Sequence, residues 1–152
     1  MSDSNELPAN IVEILAEHVA QYRRDPQAAH LWDSGKIGLK GGLVPTLLLR
    51  TRGRKSGKDR YVTLQYYRPR GQYVVVGSKG GVEDHPVWFK NLLEEPHCHI
   101  TVGAFESDSI ARVATGAERE ELWAIVSEEQ PAYKRYQKRT SREIPVVIFD
   151  LA

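Results

Sequence analysis

At 152 residues the chain has the length of one domain, and at that size it buries roughly 70% of its unfolded surface with no need of disulfide or metal. Its single cysteine, Cys98, excludes an intrachain disulfide and suits a reducing cytoplasm. Twenty-one basic against twenty acidic side chains leave a net +1, which argues against a dedicated nucleic-acid binder. The dense apolar stretches, such as Leu43 to Leu49, are far too short to span a bilayer and leave only peripheral membrane contact open.

Residues 1–9 are polar and read as a frayed terminus, with no basic-then-apolar leader, ahead of one domain over 10–152. Asn10 with Glu13 signals a helix start, and Ile11, Ile14, Leu15, Val19 and Tyr22 follow at helical spacing. Asp25-Pro26 opens a short second helix expected to run to about Trp32, and Gly35, Gly38, Gly41 and Gly42 form a connector.

From Leu43 the composition turns to β-branched, aromatic and aliphatic residues. It predicts strands over Leu43 to Thr51, Tyr61 to Arg68 and Gln72 to Ser78, with a hairpin turn at Pro69-Arg70-Gly71. Asp84-His85-Pro86 opens a helix that Pro96 ends. Strands His97 to Val102 and Phe105 to Val113 join at Gly103-Ala104. Thr115 and Glu118 have the spacing of a capping box for a helix that Pro131 stops. Tyr133 and Tyr136 share a helical face, and Ile144 to Leu151 is a last strand whose Pro145 marks an edge or a beginning. Short connections between strands favour an antiparallel α+β domain, a small closed or half-closed barrel, over a parallel doubly wound sheet.

Between Arg50 and Arg60 six basic residues face one acid, Asp59. A Gly-flanked turn exposing N–H groups, with Arg forks and a mobile Lys, suits phosphate or several carboxylates. It is not a Walker A loop, since Asp59 follows Lys58 and Arg52 stands where that motif needs glycine. Composition alone does not separate this site from a solvated hairpin tip. Gly77-Ser78-Lys79-Gly80-Gly81 adds a second cation beside glycines that permit close approach of a flat ligand, or a plain flexible turn. His97 and His99 alternate along a strand without metal-ligand spacing, so no metal is expected, and Cys98 between them lacks the exposed turn of a nucleophile. Tyr133 and Tyr136 read either as core aromatics or as the lining of an apolar pocket.

Taken together, Leu47 to Gly57, Gly77 to Gly81, Asp84 to Leu92 and the run from Pro131 through Tyr136 to Val147 resemble the deazaflavin-dependent nitroreductase family. The resemblance runs from about Trp32 to Leu151 and implies a single-domain antiparallel split β-barrel that binds coenzyme F420. It implies that Arg54, Lys55, Ser56 and Arg60 hold the phosphate or oligoglutamate tail, with Lys79 nearby. Thr63, Leu64, Val76, Gly77 and Ser78 would lie against the deazaflavin ring, and Trp88 and Asn91 behind or beside it. Thr63 departs from the family pattern, where proline often stands. The implied activity is hydride transfer to a small electron-poor acceptor: a quinone, an enone or lactone C=C, or a nitroaromatic. Tyr133 and Tyr136 would shape the acceptor pocket, with Tyr133 as a candidate proton donor. An FMN-dependent split-barrel oxidoreductase and a non-catalytic F420 carrier are the alternatives.

Overall fold

The computed structural model describes residues 8–39 and 41–152, so most of the expected frayed terminus lies outside the described residues. Helices α1 (Ile11–Arg24) and α2 (Pro26–Ala29) lead into strands β1 (Leu31–Asp33), β2 (Leu43–Arg52), β3 (Asp59–Gln65) and β4 (Tyr73–Val76). Then come α3 (Val87–Glu94), β5 (His97–Val102), β6 (Phe105–Val113), α4 (Gly116–Glu129), α5 (Ala132–Lys138) and β7 (Val146–Leu151). All seven strands join one antiparallel sheet.

β2 is the branch of the sheet. It takes β1 over Leu43 to Pro45, β5 over Leu48 to Arg50 and β3 over Thr46 to Arg52. The order continues β5-β6-β7-β4, and Tyr67, two residues past β3, exchanges two backbone hydrogen bonds with Val74 of β4 at 2.8 and 3.0 Å. That single pair closes the ring into a split barrel. A closed ring leaves few free strand edges.

The period-2 geometry of strands explains why β2 reads as a continuous apolar run. Leu47 and Leu49 point into the barrel with Tyr73, Val75, Ile100, Val147 and Phe149, and α3 adds Trp88, Phe89 and Leu92 to that core. Leu48 faces outward and is covered by Tyr22 of α1 and Ala29 of α2. The outer faces of β4 and β7 (Val74, Val76, Val146, Ile148) pack under Leu122, Val126, Tyr133 and Tyr136 of α4 and α5. The Tyr22 hydroxyl donates to the Thr46 carbonyl at 2.7 Å and accepts from the Gly103 N–H at 3.0 Å, tying α1 to β2 and to the β5–β6 turn.

Several local expectations are corrected. The second helix stops at Ala29 because Thr46 N–H captures the His30 carbonyl at 2.8 Å and Leu31–Asp33 pairs with β2 as a strand. β3 and β4 do not pair as a hairpin beyond Tyr67 and Val74; β4 instead lies on β7. Neither Asn10 nor Thr115 makes a side-chain cap, and Glu118 accepts from Arg112 Nη1 at 2.7 Å instead of turning back on Thr115. Pro145 stands just before β7, which lies between β6 and β4, so it marks a beginning and not an edge. Among the described residues no helix is long and apolar enough to cross a membrane.

Candidate functional site

A cleft of about 520 Å³ lies between the outer side of β3, helix α1, the β4–α3 connection and α5. That volume suits a ligand larger than a single ring. Of the residues singled out in the sequence, Arg60, Thr63, Leu64, Val76, Ser78, Lys79, Trp88, Asn91, Tyr133 and Tyr136 line it. Arg54, Lys55, Ser56 and Gly77 do not line it. The first three belong to the exposed turn beyond its rim.

That turn is fixed from below. Asn91, 2% exposed on α3, accepts from the Arg54 backbone N–H at 3.1 Å and donates through Nδ2 to Thr51 Oγ1 at 3.1 Å. Gly53 lets the turn close tightly there, since a Cβ would displace Ser56 Oγ, 2.7 Å away, and crowd the Lys58 carbonyl at 3.2 Å. Asn91 therefore acts at least partly as a strut: it holds the basic turn in place as well as facing the cleft. Among the described residues, no carboxylate lies within ion-pair distance of Arg52, Arg54, Lys55, Lys58, Arg60 or Lys79. Such uncompensated charge at the rim of an apolar cleft favours an anionic ligand.

The second rim, from Gly77 to His85, is fastened by a residue that pattern reading passed over. Arg142 donates to the carbonyls of Val82 (Nε, 2.7 Å), Gly77 (Nη1, 3.1 Å) and Ser78 (Nη2, 2.8 Å), and Nη1 also meets His85 Nδ1 at 3.0 Å. Glu83 answers by accepting from the Ser141 N–H and hydroxyl at 3.2 and 3.1 Å, bonds that hold its carboxyl below the usual range. The glycines of this segment serve packing. A Cβ on Gly77 would meet Pro145 Cγ at 2.7 Å, so the absence of a side chain there lets the C-terminal segment pack close. Gly81, at φ +82°, leaves no room either, because a Cβ would lie 2.5 Å from the Tyr136 carbonyl oxygen. Lys79 itself holds φ +43°, a left-handed conformation that costs a non-glycine residue roughly 1–2 kcal/mol. The Arg142 bonds on either side offset that cost and present Lys79 to the cleft.

The Tyr133 hydroxyl meets that of Tyr67 at 2.9 Å, and both residues are buried. Burial raises the pKa of each phenol, so both stay protonated through the neutral range. His18 and Trp32, which sequence reading did not place in a site, also line the cleft, with rings stacked at 4.8 Å and 7°. The available signal was a histidine within the apolar stripe of α1, four residues before Tyr22. Gln130, at the end of α4, is a further buried polar side chain in the lining.

The residues set aside as catalytic decoys have other occupations. His99 sits between Asp108 (2.9 Å) and Glu106 (3.1 Å), and His97 pairs with Glu95 at 3.0 Å. Burial pushes the Cys98 thiol up to about 12, so it carries no thiolate at neutral pH. Among the described residues no group of three or more His, Cys, Asp or Glu side chains is arranged to hold a metal ion.

The cleft's composition can be set beside known proteins. A family model described as F420H(2)-dependent quinone reductase matches residues 17–150. The chain is 37% identical over 141 residues to an F420H(2)-dependent quinone reductase of Mycobacterium tuberculosis, covering 90% of this chain and 89% of that one. Among solved structures it is similar to an F420-H2 dependent reductase, FDR-A, with 41% identity, a TM-score of 0.64, and coverage of 70% of this chain and 94% of that one. A structure described as a domain-swapped dimer shares 33% identity at a TM-score of 0.66, covering 94% of this chain and 99% of that one. The matched span takes in both cationic rims, the α3 strut and the Arg142 clamp, and the chain belongs to the F420H(2)-dependent quinone reductase family.

Proposed function

We propose that this protein is a reductase that passes a hydride from reduced F420 to a quinone-type acceptor. The observation that carries the reading is the junction of an apolar cleft with an unpaired cationic rim at Arg60 and Lys79, extended outward by Arg54 and Lys55. That donor set fits a flat ring carrying a phosphate and several carboxylates. When bound, F420 supplies the hydride, and the acceptor needs only proximity and a proton.

The chain's own residues do the rest. Asn91 sets the backbone of the phosphate-facing turn, and Arg142 sets the rim that carries Ser78 and Lys79. Thr63 and Leu64 of β3, with Val76 of β4, line the cleft and would border the ring there and help to exclude water. Tyr136 adds to the acceptor side. If Tyr67 donates to Tyr133, the Tyr133 hydrogen is left to point toward an acceptor oxygen, which is the arrangement a proton donor requires.

Titration of the protein with oxidised F420, followed by the cofactor's fluorescence, tests the first half of the reading. Binding at micromolar concentration is expected, and Arg54→Ala with Lys55→Ala weakens it about tenfold or more, with a steep dependence on salt. Oxidation of reduced F420 by 1,4-naphthoquinone tests the second half. Tight FMN binding without F420 binding would overturn the cofactor, and F420 binding without turnover would leave a carrier. A cytoplasmic location belongs to the same proposal, supported by the lone Cys98, which suits a reducing compartment. Exposed Val12 and Leu43, next to the cleft-lining Ile11 and Val44, support contact with a membrane surface. Co-sedimentation with lipid vesicles that is lost in Val12→Asp and Leu43→Asp is the expected result.

A further inference from the structure

His18 is 3% exposed and lies on α1 among apolar lining residues such as Ile11, Leu15, Ile37 and Val44. Its Nε2 stands 3.0 Å from the Ala29 carbonyl oxygen, which only accepts, so Nε2 carries the hydrogen and Nδ1 of the neutral ring is a bare lone pair. One face of the ring is covered by Trp32 at 4.8 Å. Among the described residues Nδ1 has no hydrogen-bond partner, and it is not sealed off: the buried side-chain N and O atoms there without a hydrogen bond are Ser109 Oγ and Arg119 Nε. His18 lines the cleft, the space from which a ligand would reach that nitrogen. Desolvation pulls its pKa below the usual value, an effect that the Ala29 bond opposes and Lys36 reinforces, so the ring stays neutral, with Nε2 donating to Ala29 and Nδ1 left as the acceptor.

An isolated acceptor in an apolar wall discriminates by ligand donors. A quinone carbonyl offers no hydrogen to it, whereas the hydroxyl of a reduced or hydroxylated ring does. The rim cations Arg54, Lys55, Arg60 and Lys79 come from the β2–β3 turn, β3 and the β4–α3 connection, whereas His18 and Trp32 come from α1 and β1, with Lys36 the cation that acts on His18. The end of the cleft that they form is thus separate in origin from the anion-facing rim. We propose that His18 Nδ1 is a specificity-determining contact for the acceptor, accepting a hydrogen bond from a hydroxyl on a flat aromatic ligand beside Trp32. It therefore favours the hydroxylated product over the unsubstituted quinone. This rests on the reading that the cleft takes the acceptor as well as F420.

The test compares 2-naphthol with 2-methoxynaphthalene, which share a ring and differ in one donor, as competitors of 1,4-naphthoquinone in the protein with F420. Wild type is expected to bind the naphthol roughly tenfold more tightly, the value of one hydrogen bond made in a desolvated site. His18→Phe should bring the ratio near one while leaving methoxynaphthalene affinity within about twofold. An unchanged ratio in His18→Phe, equal affinities in wild type, or a parallel fall for both ligands overturns the proposal. Should His18→Phe fail to fold, the wild-type protein with nitrogen-15-labelled histidine decides. The unprotonated Nδ1 resonance shifts with the naphthol and not with the ether; shifts with both or with neither overturn it. F420 fluorescence recorded on the same samples separates the two levels. A wild type that does not bind F420 sinks the cofactor reading, whereas the naphthol ratio by itself judges His18.

Discussion

Asn91 and Arg54 are joined by a hydrogen bond of 3.1 Å from the turn's backbone N–H to the carboxamide oxygen, across 37 residues of sequence. A buried side chain on α3 thus sets the position of a charged loop on its neighbour. Asn91→Leu removes both this bond and the one to Thr51 while keeping similar volume. It should cost about 2 kcal/mol of stability and weaken F420 binding more than tenfold, because the turn loses its support. Thermal melts and fluorescence titration check the two effects. An unchanged affinity would show that the turn holds its shape without α3.

Arg142 makes three bonds to carbonyls on the segment from Gly77 to Val82. Arg142→Lys keeps the charge and loses the planar fork, so the segment should loosen although the net charge is unchanged. Faster amide exchange confined to residues 77–85, with a stability loss of about 2 kcal/mol, is the expected signature. Uniform acceleration across the barrel would count against a local clamp.

Gly81 combines φ +82° with a Cβ direction that ends 2.5 Å from the Tyr136 carbonyl oxygen. Backbone obstructs it, so a rotamer change gives no relief. Gly81→Ala should destabilise by about 3 kcal/mol, whereas Gly71→Ala, which meets nothing within 4 Å and shares only the positive φ (+78°), should cost about 1. Paired urea melts measure the difference, and equal losses would refute the steric account.

Two histidines set the mildly acidic limb of stability. Desolvation lowers His18, and desolvation followed by the Arg142 charge lowers His85. A depressed pKa means that the folded state binds fewer protons than the unfolded chain just below about pH 6.5, so stability falls as pH drops through that value. The carboxylates held low, Glu83 and Asp108 among them, lose their contributions only further down, in the carboxylate range. Melting temperature should therefore decline between pH 7 and 5.5, and His18→Gln should flatten that decline. A flat wild-type profile over this interval would sink the assignment.

What was legible in the sequence was local. The β2 run announced itself because both its faces are buried, and the charged turn, the Gly–Lys turn and the helix after Pro86 are each contiguous. β1 was missed because three residues, Leu31 to Asp33, are too few to show a period, and their strand character comes from pairing with β2. The Arg142 clamp was invisible for a similar reason, since its partners lie 57–65 residues away and no short motif records such a contact. The packing of Gly77 against Pro145 was invisible for the same cause, since the two are near in space only. For His18 the local signal is its place in the apolar stripe of α1, which points to a wall but says nothing of which ring nitrogen is free.

The position of β7 has a consequence for how the chain acquires this shape. The last strand lies between β6 and β4, and β4 reaches it from more than seventy residues earlier. No stretch ending before Val146 can form the ring, and the edges of β4 and β6 stay open until the final segment arrives. Pairings this distant in sequence are slow to form, so a chain that has made β4 and β6 but not yet β7 presents two unpaired, aggregation-prone strand edges.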